Sequence, residues 1–552
     1  MNRAGNEPDA AEVATRSENT GPAGEGLPAA GPAAQPRPAL TGWRRVGTVL
    51  LDRATLGAVA VVAVAAPLRA AAIGFGLPIL THPDEPVNVR VGEAMSVHSD
   101  WNPHRFNYPS MLYDTIAVFV RAHRWLTGQR GAADSGVQIQ NLGVAVTSEP
   151  GLFIALRTFT MLLSIAMCLL AYAVVLRVTG RVLAALLAGL LLAVSPVAVT
   201  NGVFISPDTY SGLFSALALL GAIGVAGRGR RLDYLLAGAG VGLAAAAKYN
   251  AAVVAVALVG AHLIRHRASS WRHPKILLSG VAAVVLFVLV TPAAVLDPHH
   301  FLAGALAEAQ HYAHGHDGST GGSLWFNVQA LRRDPVLLGG SALSILCLRS
   351  PRRREIAVIL AFTLAYGGLL SVQTVHFARN LLPILPALAM LAGFAAAVGA
   401  DRLSRQPAAA RRVLTAGAGA VLAAGVAGSA VAAAGIPPKL AERPRTEALN
   451  WLTAHVPPGS RVVVESYGPY LPEDLYRLTS THFLATQTRP PPDTSAVVVT
   501  ELGSGRFLSQ PQRYPSQVAN YHQMRTRYCL AGRWTDGPWV EVLAPCPADR
   551  TR

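Results

Sequence analysis

Long apolar runs recur along this chain from about residue 46 to residue 433, separated by short polar clusters. A helix needs about 20 mostly apolar residues to cross a bilayer, and the runs predict about eleven such helices. The first extends from Val46 to Ile73, interrupted near its start by Asp52 and Arg53. Next come Leu152–Leu176, Val182–Thr200, Thr209–Val225, Leu232–Ala247 and Ala251–Ile264. The remainder are Ile276–Leu296, Pro335–Leu348, Ile356–Val372, Leu381–Val398 and Val413–Ala433. The stretch Leu232–Ile264 reads either as two spans or as one tilted helix, which would reverse the orientation of everything after it. A further apolar stretch, Met111–Val120, is too short to span and reads as a helix lying in the interface.

Charge settles the count. Short loops rich in Arg and Lys stay cytoplasmic. Here they are Arg44–Arg45, Arg177–Arg181, Arg228–Arg231, Arg265–Lys275, Arg349–Arg354 and Arg402–Arg412. With Leu232–Ile264 split in two, all of them fall on one side. The long segments 74–150 and 297–334 and the tail from residue 436 then share the other side, with the N-terminus inside. The expectation is a multi-pass protein of the plasma (inner) membrane with an extracytoplasmic C-terminal domain. The net charge of +16 in 552 residues is thereby a topology signal, and no nucleic-acid partner is implied. Only 14% of residues are charged and 51% are hydrophobic, against roughly 25% charged in soluble chains.

The two ends differ from the middle. Residues 1–42, rich in Ala, Pro, Gly and Glu, lack apolar periodicity and read as a disordered cytoplasmic arm. No apolar core sits near the start as in a signal peptide, so the first helix reads as an uncleaved span. Residues 43–435 form the membrane domain and 436–552 a separate unit. In that unit Arg443–His455 reads as an amphipathic helix, and Arg461–Glu465, Ser495–Thr500 and Trp539–Leu543 as strands, a small α/β domain. Cys529 and Cys546 lie in this outside domain, where a disulfide would persist. Spacing alone leaves two unpaired thiols as the alternative. Cys168 and Cys347 lie inside apolar runs and read as core residues.

The candidate chemistry gathers on the outside. Asp84 and Glu85 follow the first span directly and could serve as a base or bind a metal, or simply open a solvated loop. The run His311-Tyr312-Ala313-His314-Gly315-His316-Asp317 could hold a divalent metal through His311, His314 and His316, joined by Asp84. Equally, it could be a Gly-rich lid. Lys248 and Arg379 are ionisable residues at membrane depth, where function is the default suspicion and snorkelling the ordinary alternative.

An acidic pair after the first span, followed by Phe106-Asn107-Tyr108-Pro109 before an interfacial helix, resembles the GT-C glycosyltransferases. It is most similar to the branch holding protein O-mannosyltransferases and lipid A aminoarabinose transferases. Ser206-Pro207-Asp208, Lys248-Tyr249, Gly315-His316 and His376-Phe377-Ala378-Arg379 continue the resemblance, and the tail segments Asn450-Trp451-Leu452 and Val456–Gly459 resemble the outside domain of bacterial members. The resemblance implies a polyprenyl-phosphate sugar donor among membrane lipids and transfer to an outside acceptor, whether protein, lipid or polysaccharide. It also favours Asp84 over Glu85 as base, and assigns Tyr108, Asp208, Lys248, Tyr249, His316 and Arg379 to substrate binding. Direct displacement from one face would invert the anomeric centre. The rival class is a transporter or flippase of lipid-linked glycan intermediates. Such proteins place their sites mid-membrane between broken helices, whereas the polar clusters here lie in outside loops.

Overall fold

The computed structural model describes residues 52–128, 136–315, 322–375, 377–440, 442–486 and 490–547. The N-terminal arm lies outside the described residues. Among them, seven helical stretches are long and apolar enough to cross a membrane, and the apolar helices Val182–Val194, Lys275–Leu289 and Pro335–Arg349 are shorter. This is a multi-pass membrane protein with a small C-terminal sheet domain.

Helix α1 is Arg53–Ala70, started by the Asp52 carboxylate, which accepts from the Ala54 N–H. The first outside segment contains two helices, α2 (Glu85–His98) and α3 (Met111–Thr127). The acidic pair therefore opens a helix and not a loop, with Pro86 in the first turn, where a missing N–H costs nothing. Strand β1 (Ile79–Leu80) and the hairpin β2 (Gln138–Asn141) and β3 (Val144–Val146) form a small antiparallel sheet. Helix α4 (Pro150–Thr179) ends at Gly180, whose left-handed backbone (φ 65°) lets its N–H reach the Leu176 carbonyl.

The expected span Val182–Thr200 is interrupted. Helix α5 (Val182–Val194) stops at Ser195, which is extended because it precedes Pro196, and a short helix Pro196–Asn201 follows. Helices α6 (Asp208–Gly227) and α7 (Arg231–Ala247) pack antiparallel and closely. A Cβ on Gly221 would lie 2.3 Å from the Ala237 nitrogen, and one on Gly240 would lie 2.3 Å from that of Ala218. After an extended Lys248 and a 3₁₀ turn comes α8 (Ala255–His266), then α9 (Lys275–Leu289). Helix α9 runs parallel to α7, since Gly238 abuts Ser279 and Gly242 abuts Ala283. At the other end of α8, Arg265 donates to the Gly227 carbonyl and Lys275 to that of Gly229 (2.6 and 3.2 Å). The stretch Leu232–Ile264 is thus a helical hairpin with Lys248 at its tip and the basic cluster at its open end.

The second outside segment holds α10 (Pro298–His314), so His311 to His314 form the last turn of a helix and not a lid loop. Then come α11 (Pro335–Leu343), α12 (Arg353–Val372), α13 (Leu385–Leu403) and α14 (Ala408–Ala434). Asp401 ties Arg181 and Arg352 together, at 2.6 Å to the latter. Three basic loops therefore meet at one end of the bundle.

In the tail, α15 (Arg443–His455) and α16 (Pro515–Arg525) flank a five-stranded sheet in the order β5-β4-β6-β8-β7. The strands are β4 (Arg461–Glu465), β5 (Arg477–Thr481), β6 (Thr494–Thr500), β7 (Tyr528–Trp534) and β8 (Val540–Pro545). β4 is parallel to β5 and to β6, and the other pairs are antiparallel. Strands β5 and β7 lie at the edges and were absent from the sequence expectation. Cys529 and Cys546 are joined in a disulfide with Cα atoms 4.9 Å apart.

The close approach of α7 and α9 makes a test with two signs. Gly238→Ala would push a Cβ to 2.2 Å from the Ser279 carbonyl oxygen, and overpacking of this kind costs about 1–3 kcal/mol. Gly280→Ala, one position along α9 from Ser279, meets nothing within 4 Å and should gain up to about 1 kcal/mol of helix propensity. Thermal unfolding of the two variants in detergent should move in opposite directions.

Candidate active site

Glu85 and Arg157 are both fully buried and face each other across α2 and α4. Arg157 donates through Nη2 and Nε to the two carboxylate oxygens at 2.7 and 3.3 Å. Its Nη1 donates to the carbonyls of Ile73 and Phe75 (2.9 and 2.8 Å), and the Phe75 ring lies 3.7 Å beneath the guanidinium carbon. Glu85 also accepts from the Ile205 N–H at 3.0 Å, while Asn88 donates to the Ile205 carbonyl at 3.0 Å. Both oxygens of the Glu85 carboxylate are occupied in this way. These partners give Glu85 an anchoring place in the bundle.

Asp84, one residue earlier, faces the other way. Its Oδ2 accepts from Arg379 Nη1 at 2.6 Å, and its N–H donates to His82 Nδ1 at 3.2 Å. Burial pushes the Asp84 carboxyl up, but Arg379 and His82 outweigh it and hold the group below the usual carboxylate range. Burial holds His82 below the usual imidazole range, in keeping with an Nδ1 that accepts.

A second cluster adjoins the first. Lys248, at the tip of the α7–α8 hairpin, donates to Asp208 Oδ1 at 2.7 Å and Asn380 Oδ1 at 2.8 Å. Tyr312 donates to the same Asn380 oxygen at 3.3 Å, and Tyr366 to the Asn380 carbonyl at 3.0 Å. With its oxygen so occupied, the Asn380 amide is left with Nδ2 as its donor. Asn380 Nδ2 and Arg379 Nε are buried donors without a partner among the described residues. Unpaired buried donors are costly, and two in adjacent residues make a site shaped for an acceptor.

Two cavities meet here. One, of about 710 Å³, is lined by Asp84, Arg105, Tyr108, His311, Tyr312 and Arg379, and on its far side by Tyr467, His482, Phe483 and Arg506 of the tail. The other, of about 410 Å³, holds Lys248 and Tyr249 and is walled by Ala305, Ala309, Leu369 and Val372. Tyr108, Asn107, Glu308 and Tyr312 border both. Burial raises the Tyr108 phenol well above its usual range, so it stays neutral. Tyr249 donates to the Phe106 carbonyl at 3.1 Å.

Among the described residues the expected metal set is not assembled. Among the described residues no three of His, Cys, Asp or Glu converge to hold an ion. The position beside Asp84 is taken by the Arg379 guanidinium, and His314 Nδ1 lies 2.9 Å from the Gln310 carbonyl on an exposed face. Of the two described His residues expected as ligands, His311 lines the cavity with Asp84 and His314 does not. His316 lies outside the described residues. The described residues therefore do not fit a metal, and no step is routed through one.

Sequence reasoning missed Asn380, although it adjoins Arg379. It also missed Arg157 and the whole tail wall. The signal for the tail was its strand pattern, because ligands of open α/β sheets sit beyond the carboxyl ends of parallel strands.

Breaking the buried pair tests the anchoring role of Glu85. Arg157→Met strands a buried carboxylate and should cost about 3–5 kcal/mol, whereas replacing both partners with apolar residues should recover most of it. Unfolding midpoints of Arg157→Met and of Glu85→Leu/Arg157→Met in detergent check this. Equal loss in both would refute the pairing.

Residues 138–293 match the family model described as dolichyl-phosphate-mannose-protein mannosyltransferase. No curated protein sequence matches significantly. The structure is similar to that of ArnT from Cupriavidus metallidurans bound to undecaprenyl phosphate, with a TM-score of 0.50 and 15% identity over 91% of this chain and 98% of that one. It is similar as well to the oligosaccharyltransferase of Archaeoglobus fulgidus in the apo form, with a TM-score of 0.51 and 13% identity over 90% of this chain and 74% of that one. In its family match over residues 138–293 and in its fold, the chain is similar to the GT-C membrane glycosyltransferases of the branch that holds the O-mannosyltransferases and ArnT.

Proposed function

We propose that the protein transfers a sugar from a polyprenyl-phosphate donor to an acceptor outside the cytoplasm, with inversion and with Asp84 as base. The observation that carries the reading is the junction of the two cavities. An apolar cavity with a lysine at its base adjoins a polar cavity holding a carboxylate. A lipid-linked sugar phosphate has the same three parts in the same order: chain, phosphate, sugar. The similar ArnT structure contains undecaprenyl phosphate, which supports a donor of this class.

In this reading the chain lies along Leu369 and Val372, and the phosphate meets Lys248, Asn380 Nδ2 and Arg379 Nε. Arg provides directed donors and Lys a point charge. The sugar projects past Tyr108 toward Asp84. Polyprenyl phosphate leaves readily, so the acceptor hydroxyl is the partner that needs help. Asp84 takes its proton as the new bond forms on the face opposite the departing phosphate.

The reading places the cavities outside the cytoplasm. The basic loops of Arg181, Arg228, Arg265 and Arg352 lie at the opposite end of the bundle from Lys248, and basic loops stay inside. The C-terminal domain is then extracytoplasmic, in an oxidising compartment suited to its disulfide. A reporter enzyme active only after export, fused after residue 552, should be active.

Two further outcomes follow. Asp84→Asn keeps the shape and removes the base, so transfer should fall by about 10²–10⁴-fold with donor binding retained. Lys248→Ala and Arg379→Ala should each weaken donor binding more than acceptor binding. Unchanged donor affinity in both would overturn the phosphate assignment.

The pH profile gives an independent check. A base with a lowered pKa is ionised at neutral pH and loses activity only on acidification through that pKa. The acid limb for the enzyme before donor binds should therefore lie below the ordinary Asp value of about 3.9. Arg379→Gln removes the holding cation and should move the limb upward. An acid limb near 6 in the parent protein would point to an imidazole instead.

A further inference from the structure

The parallel part of the tail sheet ends at the polar cavity. Beyond the carboxyl end of β4 comes Tyr467, beyond β5 come His482 and Phe483, and beyond β6 comes Arg506, and all four line the cavity. The carboxyl edge of parallel strands is where open α/β sheets hold ligands, because the loops there diverge and leave a crevice.

This edge is rigidly built. Glu465, the last residue of β4, is fully buried and accepts from the N–H groups of Leu484 (3.0 Å) and Thr500 (2.7 Å) and from the Ser504 hydroxyl. One carboxylate thus gathers the turns that carry Phe483 and Arg506. The hairpin of the first outside segment clamps the same edge. Tyr467 donates its N–H to the Leu142 carbonyl at 2.8 Å, and Asn141 donates to the Thr481 carbonyl at 2.9 Å.

The chemistry of the edge is specific. The Arg506 guanidinium lies 5.0 Å from the Phe483 ring centre and 6.0 Å from that of Tyr467. Its Nε and Nη2 donate to the Leu502 carbonyl, which fixes its plane, and no carboxylate pairs with it among the described residues. Arg379 in the same cavity is neutralised by Asp84. Arg506 is therefore a held, uncompensated cation flanked by aromatic faces. We propose that this edge is the acceptor subsite and that it takes a sugar residue bearing an anionic group, the ring against Phe483 and Tyr467 and the anion on Arg506. The inference rests on the glycosyltransferase reading and names the acceptor class for that site.

The test uses the full chain in detergent micelles with glucose 6-phosphate, glucose and inorganic phosphate as probes, read by saturation-transfer NMR and competition. A charge-assisted hydrogen bond is worth about 1.5–3 kcal/mol, so glucose 6-phosphate should bind about 10- to 100-fold more tightly than glucose. Arg506→Gln should erase that preference and Arg506→Lys should restore part of it, which separates lost charge from lost folding. Phe483→Leu should remove saturation of the sugar ring protons. Inorganic phosphate drawn to Lys248 and Arg379 should bind the parent and Arg506→Gln alike. An unchanged preference in Arg506→Gln, or no preference in the parent, overturns the subsite. Sugar transfer from a polyprenyl-phosphate donor is measured separately. A parent protein that shows the Arg506-dependent preference but transfers nothing would sink the glycosyltransferase reading and leave an anionic-sugar binding edge.

Discussion

A guanidinium inside a helical membrane bundle has to be matched where it sits, because the desolvation cost of a stranded charge exceeds what packing returns. Arg157 meets that demand with Glu85 and two backbone carbonyls, and in doing so gathers four distant stretches of chain. These are the exit from α1, the start of α2, the body of α4 and the segment around Ile205, which Glu85 also holds. Once Glu85 is locked in the bundle, the backbone fixes where its neighbour can point. Asp84 is carried to the rim of the cavity at the N-cap of α2, where Arg379 reaches it from the other side. The chemistry of the rim thus depends on an ion pair that takes no part in it.

The second cluster depends on packing. Glycines on α6 and α7 bring their backbones together, as small residues do where lipid supplies no hydrophobic drive between helices. Helix α7 is thereby held along α6, and at its far end the extended Lys248 turns the chain toward α8. Its ammonium is thereby set beside Asp208, at the start of α6, and beside Asn380, just before α13. Asp208 balances the charge, and Asn380 orients it.

What could be read from the sequence follows the same physics. Apolar runs mark helices in lipid because every backbone polar group must be satisfied internally, and among the described residues seven of the helical stretches are long and apolar enough to span, while the expected spans Val182–Thr200 and Ile276–Leu296 are each interrupted. Helices α2 and α10 were read as loops because they lie outside the apolar runs and carry mixed polar surfaces. Strand β5, Arg-Leu-Thr-Ser-Thr, shows little alternation because it is a sheet edge with only Thr481 buried. The candidate residues Asp84, Lys248 and Arg379 were visible as charges next to spans. Their partners were not, because Asp84 and Arg379 are 295 residues apart, and Glu85 and Arg157 are 72 apart. No spacing rule connects such pairs; only the packed bundle does. The tail wall was missed for a related reason. Read alone, the tail is a small sheet domain, and its carboxyl edge acquires meaning only when the membrane cavity lies against it.

The pairing of Asp84 with Arg379 raises a difficulty for a base, since the guanidinium that keeps the carboxylate ionised also weakens its pull on a proton. The geometry of Arg379 removes the difficulty within the proposed reaction. Nη1 is engaged with Asp84, but Nε is a separate buried donor without a partner among the described residues. One guanidinium can therefore hold the carboxylate on one side and the donor phosphate on the other. A phosphate on Nε and Lys248 would bring negative charge near Asp84 and offset the field of the arginine, and a nearby like charge raises a carboxylate's pKa. Basicity at Asp84 would then rise when the donor is bound, which is when a proton has to be taken from the acceptor. Without the donor, Asp84 stays a weak base held by its cation. The same arginine would thus position the base and couple its strength to donor occupancy, a division of labour that a lysine point charge at residue 379 could not reproduce.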